Sequence, residues 1–271
     1  MKSKVTNLEK IAFGFGMLAN QMFPAALGVF IIVLVQDLGF AALLWGIIQF
    51  APRIFDAITD PIMGFISDNT KSKWGRRRQY VFIGGILMGI AYIAMWQIHR
   101  ENGILFNFIY FFLWSLVFYL GLTIFSVPYV AMGYEISEDF HERTQIMAIA
   151  QFIGQWAWVI APWFWVILYD PEWFPIGADQ GVRELSVWVA LSCTLFAIVP
   201  AIFIKSKSTL DRTDFLPINA SYVMKSIKGI FLSAFEAFKI KQFRKIAFAT
   251  FLIFNSFNRV VCLDEVHHVV L

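Results

Sequence analysis

Arg53, Asp56 and Asp60 stand at spacings i, i+3 and i+7 within an otherwise apolar stretch. On a helix, two carboxylates four residues apart lie one above the other on a single face. A charge held at mid-bilayer costs about 2.5–3.5 kcal/mol on insertion scales, an expense that a merely structural span does not need. One guanidinium against two carboxylates leaves a formal charge of −1, which a bound Na⁺ or H⁺ neutralises. The implied chemistry is reversible cation binding in a transporter. The competing reading is an Arg53–Asp56 pair that pins one helix to a neighbour.

Such a cluster must be carried by helices that cross a membrane, and composition supplies them. Of 271 residues, 59% are hydrophobic, 18% aromatic and 15% charged; soluble domains are nearer half apolar and a quarter charged. Residues Ile11–Gln36 and Gly103–Tyr134 contain no Asp, Glu, Lys or Arg, and each exceeds the roughly 20 residues a helix needs to span. The ten-residue alternating segments of a membrane β-barrel are absent. Apolar runs predict helices over about 11–36, 40–67, 80–98, 104–134, 144–169 and 186–204. A polar, basic segment then runs from Lys205 to Lys241, and a seventh apolar stretch begins near Ile246.

Lys and Arg are unevenly placed. Eighteen fall in the N-terminus and even-numbered loops and two, Arg100 and Arg183, in the opposite loops. The positive-inside rule therefore predicts a cytoplasmic N-terminus and six helices with both ends inside. Lys2, Lys4 and Lys10 precede an apolar run without a small-residue cleavage site, which reads as an uncleaved first helix. Within the basic segment, Val223, Ile227, Ile230, Phe231, Ala234, Phe235 and Phe238 recur at helical spacing, with Lys225, Lys228 and Lys239 between them. This amphipathic helix either latches two halves of a transporter or lies on an anionic leaflet.

The expected organisation is a six-helix bundle over 1–205, a cytoplasmic linker over 206–242 and a partial seventh helix over 243–271. Asn255, Asn258 and Arg259 interrupt that last helix, and its close from Cys262 to Leu271 resembles neither a span nor a polar terminus. The expectation is a truncated or irregular end. Cys193 and Cys262 imply no disulfide framework, and His267-His268 lacks ligand spacing. There is no nucleophile–base pairing, phosphate loop or metal-ligand spacing, so neither an enzyme, a cofactor nor a nucleic-acid partner is expected.

The run Arg53-Ile-Phe-Asp-Ala-Ile-Thr-Asp-Pro-Ile-Met-Gly64, followed by Asp68 and Lys73-Trp-Gly-Arg-Arg-Arg78, resembles the glycoside–pentoside–hexuronide:cation symporters. These belong to the major facilitator superfamily and are typified by melibiose permease. Glu135-Ile-Ser-Glu-Asp-Phe-His-Glu-Arg-Thr144 resembles their 4–5 loop and Phe13-Gly-Phe-Gly16 the start of their first helix. The resemblance covers roughly residues 5–245. It implies an all-α membrane fold, the N-terminal six-helix bundle of a twelve-helix protein with a 3+3 inverted repeat, plus an incomplete helix 7. It further implies a missing C-terminal half and a bacterial inner, or plasma, membrane location.

Carried over residue by residue, the resemblance puts a cation site on Asp56, Thr59, Asp60 and Thr123. The family's solute-binding carboxylates fall on Gln21 and Ser126, its stacking aromatic on Val130 and a helix 5 arginine on Gln151. All four depart from the family pattern, so a melibiose-like galactoside is not the implied solute. The expected solute residues are Gln21, Arg53, Ser126, Tyr129, Gln151 and Trp156, with Trp158 as a further stacking face. Gln145, Gln151 and Gln155 favour a hydroxyl-rich ligand, whereas lost polar anchors suit the lysolipid carriers of the same wider family. The superfamily's helix 2–3 motif implies a cytoplasmic gate of Asp68, Arg76, Arg77 and Arg78 with Glu142 and Arg143, although the positive-inside signal alone accounts equally well for the arginines. The expected function is Na⁺- or H⁺-coupled symport of a sugar- or glycoside-like solute in contact with membrane lipid. The alternatives are a lysolipid carrier or a fragment that transports nothing.

Overall fold

The computed structural model describes residues 5–175, 177–204, 208–210 and 215–253. Asn255, Asn258, Arg259, Cys262 and His267-His268 lie outside the described residues. Among those described, every regular element is helical: α1 (Asn7–Gln36), α2 (Ala42–Asp68), α3 (Arg78–Met95), a 3₁₀ turn (Arg100–Asn102), α4 (Ile104–Glu135), α5 (Phe140–Leu168), α6 (Ala178–Phe203) and α7 (Ala220–Lys239). The chain divides into two units, Met1–Ile218 and Asn219–Leu271.

In the first unit α1 packs between α5 and α6, α3 between α4 and α6, and α2 against α4, so neighbours run α2, α4, α3, α6, α1, α5. Exchanging α1–α3 for α4–α6 reverses this order and leaves it otherwise unchanged. Because helices three apart in the chain run in opposite directions, that is the pattern of a 3+3 inverted repeat. Five of the six helices are long and apolar enough to cross a membrane. The exception is α2, whose cluster Arg53–Asp60 lowers its hydropathy; its 27 residues still reach about 40 Å.

Small residues set the closest approaches. A Cβ on Gly84 would lie 2.5 Å from the Phe125 nitrogen, and one on Gly121 2.8 Å from the Met88 nitrogen. The α3 and α4 backbones therefore touch, as small residues allow in membranes. Gly14 beneath Ile153 and Gly154 beneath Met17 seat α5 on α1. Phe23, Phe30, Tyr92, Trp96, Phe111 and Phe118 fill the space between with edge and tilted ring contacts.

Caps, not hydropathy, fix the helix ends, and several differ from the apolar runs. A Thr6–Glu9 capping box starts α1 four residues before the apolar run. Asp139 caps α5 through the Glu142 amide at 2.8 Å, and this bond holds the Asp139 carboxyl below its usual range. The largest difference is α6, which begins at Ala178 rather than near 186. Its polar first turns are held by Arg183 on Asp179 (3.4 Å), Gln180 on Glu184 (2.7 Å) and Arg183 on the Ile98 carbonyl (2.8 Å). The second unit contains α7, capped by Asn219, and helical residues 241–253.

Candidate functional site

Gln21, Asp56 and Tyr119 each lie within about one residue of the midpoint of their helix, α1, α2 and α4. Asp60 and Thr123 follow four residues on, about 6 Å along the axes of α2 and α4. Because α2 packs on α4, the two polar sets meet at mid-depth.

The contact is direct. The Thr123 hydroxyl donates to Asp60 Oδ1 at 2.8 Å, and Thr59 Oγ1 lies 3.3 Å from Thr123 Oγ1. Thr59 is also 3.1 Å from the Phe55 carbonyl oxygen. A hydroxyl has one hydrogen, so Thr59 donates either to that carbonyl or to Thr123. Asp56 Oδ1 is buried with no hydrogen-bond partner among the described residues. Two carboxylates and two hydroxyls thus bring together four oxygen-bearing side chains, the ligand type that Na⁺ and similar hard cations prefer. Pro61, next to Asp60, has no N–H to offer the Ala57 carbonyl one turn back, which frees a further backbone acceptor on α2.

Arg53 makes no ion pair within 4 Å among the described residues; its guanidinium lies over the Tyr119 ring at 5.9 Å. The Arg53–Asp56 pin is therefore not formed, and the carboxylates are left to other partners. The α4 positions 119, 123 and 126 share one face, which puts half-buried Ser126 on the side that carries Tyr119 and Thr123.

The residues expected to bind solute separate into two groups. Gln21 Oε1 accepts from the Trp158 indole at 3.2 Å, which joins α1 to α5. Gln151 is exposed about two turns earlier on that side of α5, at i−7. Trp156 instead pairs edge-on with exposed Phe152 (6.4 Å), on a face shared with exposed Val159 and Trp163. Tyr129 is fully buried: it stacks on Phe13 at 4.5 Å and Phe125 at 5.3 Å, and its hydroxyl donates to the Phe13 carbonyl. It is a packing residue here, with no ring face left for a solute.

At the end of α2 the charged residues form a different arrangement from the expected gate. The nearly buried Arg77 guanidinium sits between Asp68 (2.5 Å) and Glu135 (2.9 Å), and Arg76 bonds the same Glu135 carboxylate. Glu135, the last residue of α4, was not anticipated as part of this cluster. Its signals in the sequence are that a carboxylate ends an otherwise charge-free helix and that it opens the run resembling the family's 4–5 loop. Arg78 donates to the Ala201 and Ile202 carbonyls (2.8 and 3.2 Å), so it caps the C-terminal end of α6 rather than joining the gate. Glu142 accepts from the Val5 amide (2.8 Å) and the Ser137 hydroxyl (2.6 Å). The Arg143 side chain makes no hydrogen bond or ion pair with another described residue. The helix pair that carries Asp56, Asp60 and Thr123 is thus clamped at one end by Asp68, Arg77 and Glu135.

Residues 12–172 match the MFS/sugar transport protein family. An uncharacterized symporter of Synechocystis sp. is 34% identical over 51% of this chain and 26% of its own length. A lactose permease of Leuconostoc lactis is 28% identical over 83% of this chain and 37% of its own. A sodium-dependent lysophosphatidylcholine symporter of Xenopus tropicalis is 30% identical over 52% of this chain and 27% of its own. The chain spans well under half the length of these relatives. With a mid-depth carboxylate–hydroxyl cluster, a two-by-three helix arrangement and a family match over more than half its residues, this chain belongs to the MFS/sugar transport proteins, in the melibiose permease-like branch of the major facilitator superfamily.

Proposed function

We propose that this chain carries the cation-binding half of a secondary transporter, one that couples Na⁺ or H⁺ entry to uptake of a small polar solute by alternating access. The observation that carries the reading is the Asp60–Thr123–Thr59 contact beside the unpartnered Asp56 oxygen. A cation bound there brings the −1 cluster to neutrality. Membrane charges of this kind mark ion pathways, and transporter sites sit near mid-depth. The Asp68–Arg77–Glu135 clamp acts on the same helices, which lets an ion at Asp60 bias whether the clamp is closed. The N-terminus and the Arg76–Arg78 loop face the cytoplasm, and the membrane is the bacterial inner membrane.

Sugar or glycoside is the favoured solute class, supported by amide-bearing Gln21 and Gln151 and by relatives named as lactose permeases. A lysolipid is the second reading, supported by relatives named as lysophosphatidylcholine symporters. Uptake into vesicles, driven in turn by a Na⁺ and a proton gradient, tests the coupling. Uptake indifferent to Na⁺, to a proton uncoupler and to Asp60→Cys refutes it. A panel of sugars competing against lysolipids separates the solute classes.

A further inference from the structure

The second unit raises a question that transport chemistry does not answer. Along α7, Val223, Ile227, Ile230, Ala234 and Phe238 recur at i, i+4, i+7, i+11 and i+15, which is one helix face. Ile230 is 46% exposed, Phe238 53% and Ala234 is exposed, with Val223 and Ile227 half-buried, so the C-terminal two-thirds of this face is open among the described residues. Lys225, Lys228 and Lys239 project from the opposite side, where Lys239 pairs with Glu236 at 2.6 Å. From Lys225 to Lys245 the chain has six basic residues and one acidic. A helix that is apolar on one side and cationic on the other matches a bilayer interface on both counts, because acyl chains take the apolar stripe and anionic headgroups the lysines.

Chain connection supplies the surface. Unit 1 has five helices apolar enough to cross a membrane. The segment leaving it is tied to the α2–α3 loop: the Thr209 amide donates to the Ser72 carbonyl (3.2 Å), the Ser72 amide to the Thr209 hydroxyl (3.1 Å) and the Leu216 amide to Asn69 Oδ1 (2.9 Å). Leu216 lies three residues before the α7 cap. That loop also holds Lys71, Lys73, Arg76 and Arg77. The apolar surface present at the highest local concentration is therefore the bilayer itself.

We propose that α7 is an in-plane anchor for an anionic leaflet, with the Val223–Phe238 stripe among the acyl chains and Lys225, Lys228 and Lys239 on phosphate headgroups. Each lysine near an anionic surface contributes about fivefold to the bound-to-free ratio, roughly a hundredfold for the three.

The test uses the whole 271-residue chain at one copy per nanodisc, in phosphatidylcholine alone or with a quarter phosphatidylglycerol. An environment-sensitive fluorophore is attached at Ile230→Cys or, as control, Leu232→Cys, which sits among the lysines. The background is Cys262→Ser, with Cys193 buried. The expected result is a blue-shifted Ile230 probe quenched by spin-labelled acyl chains in the anionic discs and markedly less in the neutral ones. The Leu232 probe stays in water, and Lys225→Glu/Lys228→Glu/Lys239→Glu abolishes the difference. Equal quenching in both lipids overturns the anionic requirement. A blue-shifted Ile230 probe that lipid quenchers do not reach overturns the anchor, since protein then covers the stripe. A solvent-exposed Ile230 probe in both discs overturns it as well.

Discussion

Thr123→Val isolates the cation hypothesis with the least disturbance to the fold. Thr123 is 3% exposed, and valine has the same shape, so packing against α2 is preserved. What disappears is one hydroxyl: its 2.8 Å bond to Asp60 and its 3.3 Å contact with Thr59. A hydrogen bond to a charged acceptor is worth about 1.5–3 kcal/mol, or roughly 10- to 150-fold in affinity. Asp60 lies exposed at the surface of this chain rather than enclosed in its packing, which places the effect at the lower end, about tenfold. For Na⁺ the direction is a loss, because the hydroxyl oxygen is also one of the four available ligands. The assay is equilibrium binding of radioactive Na⁺ to the purified chain in detergent, with choline as the competing inert cation. Thr144→Val is the control, since among the described residues its hydroxyl bonds only the Phe140 carbonyl one turn back (2.9 Å). Thr123→Val binding Na⁺ within twofold of the wild type would falsify the claim that this contact is a Na⁺ site. If coupling is to protons instead, the wild type itself shows no specific Na⁺ binding, and proton-driven uptake is undiminished by the loss of a donor to the carboxylate.

Asp56→Asn and Asp60→Asn should each abolish ion-stimulated solute binding, whereas Asp68→Asn should slow turnover and leave binding largely intact; the reverse pattern would mean that site and gate have been exchanged. Glu135→Gln should lower the midpoint of thermal unfolding more than Asp68→Asn, because Glu135 receives two guanidiniums and Asp68 one. Both carboxylates are partly exposed, so the loss is about 1 kcal/mol, a few degrees, and equal shifts argue against a shared clamp. Gly84→Ala should destabilise by about 1–3 kcal/mol because its Cβ meets backbone rather than a movable side chain. Gly28→Ala, with open space around it, should be neutral or gain about 0.5–1 kcal/mol; melting curves that rank the two the other way refute the α3–α4 contact.

Sequence made the spans legible because hydropathy acts locally: each of the six apolar runs lies on a helix. Ends were harder where polar residues continue the helix, as at Asp179–Glu184, because no apolar residue marks those turns. The Thr6–Glu9 capping box, not the apolar run, decides the start of α1. The Arg53–Asp60 cluster was visible because charge within an apolar span is rare at any spacing, and Thr59 and Thr123 entered through the family pattern. What could not be read is which polar groups find partners across helices. Tyr129 was an attractive stacking residue until its ring proved enclosed by Phe13 and Phe125. Arg78 is chemically the same as Arg77, yet one caps α6 and the other joins Asp68 to Glu135. That division is set by where α6 ends, and position along one helix does not encode it.

The expense of the α2 charges is reduced by how α2 is packed. Arg53 and Asp60 are exposed on a helix whose main neighbour in unit 1 is α4, so their charges are not sealed in apolar packing. The oxygens that are withdrawn from solvent, Asp56 Oδ1 and the Thr123 hydroxyl, lie on the α4 side. If the cluster binds a cation as proposed, an ion entering from the exposed face would give up water gradually, meeting Asp60 first and the buried donors afterwards. Arg53 cannot follow it while it rests on Tyr119, because a guanidinium over an aromatic face gains about 0.5–1 kcal/mol when exposed and more when desolvated. Tyr119→Leu removes that restraint without touching an oxygen ligand. It should free Arg53 to compete for Asp56 and Asp60 and so weaken Na⁺ binding severalfold. Tyr119→Phe keeps the ring face and should leave Na⁺ binding unchanged. If the two substitutions weaken Na⁺ binding equally, the phenol hydroxyl matters rather than the ring, and Arg53 is not the competitor.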